Sequence, residues 1–297
     1  MRVTFNTQYR NATEALSEQA AELAARQREI SSGRKLHAIS DAPTDAASCV
    51  GLRTDLAATD QYTRAATSAQ SRLQVLDGVL SELGNLVTDA KVAAMSGVGS
   101  SAGSTRREAA AQQISGLRDA ILSAINTQFG GTYLFAGDES LAAPYEQSGA
   151  AVSPYLGGAA AVELDIDRET AVHLTLSGHQ VLQGSAAEDL FATLDRLAGD
   201  LRAGSEDDVQ AGLGSLDQAL ARIGDAQGQI GLDLAAIESR SRVLDTRRQS
   251  TAARLSGLED ADMVESVTAL SRADTAYQAT LGALGLSQRT SLLDYLS

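Results

Sequence analysis

Three histidines, one cysteine and a short run of carboxylates are the residues whose chemistry could exceed packing. His37, His173 and His179 have no metal-binding spacing, and Cys49 has no second thiol, so neither a zinc set nor an internal disulfide is spelled out. Glu259, Asp260 and Asp262 could in principle move protons or hold a hard cation, since grouped carboxylates do both. They lack the spacing of a calcium loop and fall inside a helical pattern, which predicts a solvated turn or a polar contact between subunits. Gly97-Val98-Gly99 and the trio Gly224, Gly228 and Gly231 evoke phosphate loops, but neither follows a strand with dinucleotide or P-loop spacing. No serine stands in a nucleophile-elbow context. No catalytic residue, metal site or cofactor is expected, and an enzyme in the middle of the chain is the weakest alternative.

If the side chains do no chemistry, the elements must carry the function. The chain has no Trp, 3 Pro and 4% aromatics, so its apolar 43% consists largely of Ala, Leu, Val and Ile, which suit narrow helix seams. The net charge of −14, from 24 Lys+Arg and 38 Asp+Glu, argues against nucleic acid and anionic membranes, whose binding needs a cationic patch. The charge is uneven: Arg2, Arg10, Arg26, Arg28, Arg34 and Lys35 outnumber Glu14, Glu18, Glu22 and Glu29 in the first arm. Met1 to Arg10 has no apolar signal core, and no run approaches the roughly 20 apolar residues of a membrane span, so composition alone predicts a cytoplasmic protein without membrane insertion.

Tyr9, Leu16, Leu23 and Ile30 recur at seven before Ser31-Ser32-Gly33, predicting a coiled-coil-like helix of roughly 25 residues. Ser40-Asp41-Ala42-Pro43 supplies a cap and a first-turn proline, and Asp45 complements the exposed amides of a second helix running from about Pro43 to Met95. Its stripe is Leu52, Leu56, Leu73, Leu76, Leu80, Leu83 and Val87. Ser104 is the expected cap of a third helix, about Thr105 to Phe129, ended by Gly130-Gly131. The period then changes to two: Thr132 to Phe135 reads as a strand, and Val162, Leu164, Ile166 and Val172, Leu174, Leu176 flank a turn at Asp167-Arg168-Glu169. Ser185-Ala186-Ala187-Glu188 fits a capping box, and Ser205 to Asp208 opens a longer helix. Ile230, Leu234, Ile237, Leu244, Leu255 and Leu258 keep a heptad-like spacing, which slips after Glu259-Asp260-Ala261-Asp262. Met263, Val267, Leu270, Asp274, Tyr277, Leu281 and Leu284 then start a second series.

The expected fold is mainly α: a long antiparallel helical bundle from both chain ends with a small β-rich outer domain in the middle. Its divisions are a heptad arm at 1–40, long helices at 41–130, the β-rich part at 131–184, long helices at 185–262 and a second heptad arm at 263–297. Four large seam residues bury too little apolar surface to order a whole arm, so a lone arm should fray until the seams meet.

Two separated segments in this order resemble the flagellin superfamily. Ile30-Ser31-Ser32-Gly33-Arg34-Lys35-Leu36 with Ser40-Asp41-Ala42-Pro43-Thr44-Asp45-Ala46-Ala47 is similar to its signature between the first two helices, and Leu258-Glu259-Asp260-Ala261-Asp262-Met263 to its junction before the last helix. The motif residues are Ser32, Gly33, Asp41, Pro43, Asp45, Glu259, Asp260 and Asp262, and the resemblance covers roughly residues 1 to 140 and 215 to 297. Asp41 to Asp45, Tyr133-Leu134-Phe135-Ala136-Gly137 and Ser291-Leu292-Leu293-Asp294-Tyr295-Leu296 resemble the junction-type branch, found between hook and filament, more than filament subunits. The resemblance implies an exported axial subunit of the bacterial flagellum without a cleaved signal. Its implied partners are further copies of itself, the adjacent axial proteins, flagellin and an export chaperone. Leu16, Leu23, Ile30, Leu270, Tyr277, Leu281 and Leu284 would form the assembly interface. The alternatives are a short filament-forming flagellin and a cytoplasmic coiled-coil adaptor.

Overall fold

The computed structural model describes residues 5–38, 42–98, 103–149, 151–167, 170–186 and 189–296, with side chains described within residues 10–285. Seven helices and six short strands follow one another along these residues. They fall into two compact units, one from residues 1–58 with 247–297 and one from residues 59–246.

The unit of residues 59–246 holds the hydrophobic core. Helix α2 (Pro43–Ser96) contributes its later part, and Ala66, Leu73, Leu80, Val87 and Ala94 are all buried at intervals of seven. The intervening Ala69, Leu76, Leu83 and Ala90 are buried too, which completes a sustained 3-4 repeat. Helix α6 (Glu206–Glu259) answers with Val209, Leu216, Ile223, Ile230, Ile237 and Leu244, again seven apart and buried. The two helices run antiparallel here: a Cβ on Gly84 would lie 3.8 Å from Ile223, and Lys91 is ion-paired to Asp217. Helix α3 (Ser104–Ile125) adds Ile114, Ile121 and Ile125, and α5 (Leu190–Ala203) packs on it with Phe191, Leu194, Leu197 and Leu201.

Several predicted boundaries move. Helix α3 starts at Ser104 with Gly103 in the cap position and ends at Ile125, so Ser104 does not act as the cap. Gly130-Gly131, both at positive φ, form the turn between β1 (Gln128–Phe129) and β2 (Thr132–Tyr133) rather than the helix end. The strand expected through Phe135 is shorter, and Leu134 and Phe135 continue as fully buried chain. A second small antiparallel pair, β3 (Gln147–Ser148) with β4 (Ala151–Val152), lies between the two segments in which the sequence alternates. The period-of-two segment forms the hairpin of β5 (Glu163–Asp167) and β6 (Thr170–His173), with Leu164 opposite Val172. A single turn of helix, α4 (Gly178–Leu182), closes the insert. The helix predicted from Ser185 begins at Leu190 instead, because the Asp189 carboxylate accepts the Ala192 amide at 2.7 Å; Glu188 lies outside the described residues.

The insert is fastened by side chains the periodicity did not mark. Arg72 of α2 donates to the Leu174 carbonyl at 2.6 Å and to the Thr132 hydroxyl at 2.9 Å, and its burial lowers the guanidinium pKa. Tyr145 packs edge-on against Phe191 with ring centres 5.0 Å apart, and burial raises the pKa of its phenol. In the resemblance motif ending at Gly137, a Cβ would come 2.2 Å from the Gly158 carbonyl oxygen at φ +60°, so only glycine fits.

The other unit has little core. Helix α1 (Phe5–Ser32) packs against α7 (Met263–Leu296), and the start of α2 and the end of α6 complete it. Its buried apolar residues are small or few: Cys49 and Leu52 of α2 and Ala273 of α7. Side chains of the tail motif, Ser291 to Leu296, lie outside the described residues.

Candidate functional site

The two end motifs, more than 200 residues apart in sequence, meet where the helices of both arms break. Helix α1 ends at Ser32, and Gly33 turns the chain at φ +69° with open space where a Cβ would stand, so the glycine serves conformation alone. The Ser32 hydroxyl accepts the Arg34 amide at 3.2 Å. Helix α6 ends at Glu259, and the Asp262 carboxylate then caps α7 by accepting the amides of Val264 and Glu265 at 2.9 and 3.2 Å. The two breaks are joined by backbone hydrogen bonds: Lys35 N–H to the Glu259 carbonyl and Ala261 N–H to the Gly33 carbonyl, both 2.9 Å. Arg34 and Asp260 thus form an antiparallel bridge, and the Lys35 ammonium donates to the Gly257 carbonyl at 2.9 Å.

Glu259 sits at the centre, only 5% exposed. One carboxylate oxygen receives Arg34 Nε at 2.7 Å and Arg53 Nη2 at 2.6 Å. This corrects the expectation of a solvated turn for Glu259: a carboxylate this enclosed needs compensating charge, and two arginines from different elements supply it. Asp260 and Asp262 do stay exposed, and Asp260 accepts the Ser256 hydroxyl. Pro43 opens α2 and Asp45 lies in its first turn, as its sequence predicts. Asp41 and Ser40 lie outside the described residues.

The α1–α7 pair has an unequal seam. The buried positions of α7 among the described residues are small, Ser266 and Ala273, and the Ser266 hydroxyl donates to Glu29, which also holds Arg26 at 3.0 Å. Small residues let the helices approach but bury little area. Leu16, Leu23 and Ile30 on α1 and Leu270, Tyr277 and Leu284 on α7 are half-buried. Leu281 is 44% exposed, and Met263, Val264 and Val267 are exposed as well. The large residues of the predicted α7 series are therefore less buried than Ser266 and Ala273, with an edge turned to solvent. A cavity of about 680 Å³ between α1 and α7 is lined by Gln19, Glu22, Arg26, Glu265, Thr268 and Arg272 among others, a charged groove unlike an apolar ligand pocket.

The residues considered for chemistry are dispersed. His173 contacts Asp233 at 3.1 Å between hairpin and α6, His179 lies beside Tyr155, and His37 is in the α1–α2 connection. Among the described residues no three His, Cys, Asp or Glu side chains are grouped to hold a metal ion, and no helix is long and apolar enough to cross a membrane.

Comparison with known proteins identifies the architecture. Residues 3–140 match the bacterial flagellin N-terminal helical region and residues 213–296 the bacterial flagellin C-terminal helical region. Flagellar hook-associated protein 3 of Escherichia coli is 26% identical over 98% of both chains, and that of Salmonella typhimurium 22% identical over 94% of this chain and 95% of its own. A solved structure of a putative flagellar hook-associated protein from Vibrio parahaemolyticus has a TM-score of 0.70 at 17% identity, covering 74% of this chain and 100% of its own. The Xanthomonas campestris FlgL structure has a TM-score of 0.62 at 18% identity, covering 68% of this chain and 98% of its own. With both terminal helical regions matched and their two motifs joined around Glu259, this chain belongs to the bacterial flagellin family.

Proposed function

We propose that this chain is a structural subunit of the bacterial flagellum that joins hook to filament and works by helical self-assembly. The observation that carries the reading is the terminal unit: two distant motifs close on one carboxylate and align α1 with α7, while Met263, Val264, Val267 and Leu281 keep an apolar edge in solvent. An exposed edge of this kind beside a thin internal seam is what a helix needs in order to gain order from neighbours. The assembly interface is Leu16, Leu23, Ile30, Leu270, Tyr277, Leu281 and Leu284, and the arms acquire their full order on docking.

The likeness to hook-associated proteins favours the junction over the filament itself. On this reading the partners are copies of the chain, neighbouring hook-associated proteins, flagellin and an export chaperone. The chain leaves the cell through the flagellar export route without a cleaved signal. Absence of disulfides suits passage in an unfolded state, since Cys49 is the sole cysteine. The test is incorporation of Leu281→Asp at the ends of purified hooks. The variant should remain folded and fail to incorporate, and normal incorporation would remove Leu281 from the interface.

A further inference from the structure

Nearly all of the net charge of −14 lies in one of the two units. Residues 59–246 carry 12 Lys+Arg against 25 Asp+Glu, a balance of −13, whereas residues 1–58 with 247–297 carry 12 against 13, a balance of −1. Six of the twelve cations of the acidic unit are engaged inside it. Arg72 and Arg222 donate to the carbonyls of Leu174 and Leu182, and Lys91, Arg118, Arg202 and Arg240 pair with Asp217, Asp195, Glu108 and Asp167. Exposed acids remain in excess: Glu82 and Asp89 on α2 and Asp225, Glu238 and Asp245 on α6 are exposed with no ion pair among the described residues, against the exposed cations Arg64, Arg106 and Arg242. The nearly neutral unit, in contrast, bears the exposed apolar edge of α7.

Building on the reading that α7 docks onto neighbouring subunits, we propose that the acidic unit is an electrostatic brake on self-association, so that pairing of this chain with its own copies is gated by ionic strength. Two copies brought together through their terminal units bring two bodies of −13 into one assembly, and like charge of that size keeps proteins apart. A neighbour with a less negative body meets a smaller penalty. The device would thus limit uncontrolled growth of the chain on itself while leaving docking to a different axial protein open. It acts only within a Debye length, which salt shortens.

Sedimentation velocity on the full chain tests this, with sodium chloride raised from about 0.01 M to about 1 M so that the Debye length falls from ~30 Å to ~3 Å. Chloride is used because sulfate strengthens apolar burial on its own. A second protein combines Glu82→Gln, Asp89→Asn, Asp225→Asn, Glu238→Gln and Asp245→Asn, taking the acidic unit from −13 to −8. The parent should associate at least about tenfold more tightly at high salt, and the neutralised protein should already associate at low salt with a flatter salt response. Equal salt responses in the two proteins, or no association of either at any salt, overturn the brake. Docking of the parent at hook ends, measured separately, tells that failure apart from failure of the junction reading, which requires docking whatever the self-association.

Discussion

At the scale of single residues, Glu259 is the position on which the terminal unit turns. Its carboxylate is enclosed while Arg34 and Arg53 remain about half exposed, so solvent screens part of each pair. Glu259→Gln should destabilise the joint by about 1–2 kcal/mol, read as faster hydrogen exchange at the Lys35 and Ala261 amides with little change in the core of the other unit. Gly33→Ala should cost about 1 kcal/mol in chemical denaturation, because nothing obstructs the added Cβ and only the left-handed backbone resists it. The presence of these motif residues was legible in the sequence, but their roles were not. Acidic residues in a helical break look solvated when read singly. The two arginines that enclose Glu259 lie 225 and 206 positions away, a distance that no periodicity spans.

At the scale of elements, the long helices were legible because Leu, Ile and Val mark their stripes, and α2 begins at Pro43 as expected. The full heptad run was partly hidden by its small members: Thr59, Ala66, Ala69, Ala90 and Ala94 are as buried as the leucines between them but give no hydrophobic signal of their own. On α7 too the small residues gave no signal, and Ser266 and Ala273 are more buried than the large residues of the series. Short strands and the Asp189 cap were missed because turn chemistry and a single side-chain acceptor outweighed the pattern. Two changes separate core from edge. Leu80→Ala, in the repeat of α2, should cost about 3 kcal/mol in urea unfolding. Leu281→Asp should leave that transition within about 0.5 kcal/mol of the parent, since the residue is 44% exposed and belongs to the unit without the buried repeat.

At the scale of the whole molecule, the division of labour follows from composition. One unit contains the buried aliphatic repeat and nearly all the net charge; the other contains the two end motifs, a small-residue helix pair and an apolar edge. An apolar edge in the unit that has little core of its own is what the proposed assembly through the termini requires. The measurement that tests this most directly is electron microscopy of purified hooks incubated with the full chain, alone and then followed by flagellin, with far-UV circular dichroism of the free protein beside it. A junction subunit should form a limited layer at hook ends that supports filament growth on addition of flagellin, with no long filaments from the chain by itself. Long filaments of the chain alone would make it a filament subunit, and absence from hook ends altogether would contradict the junction role.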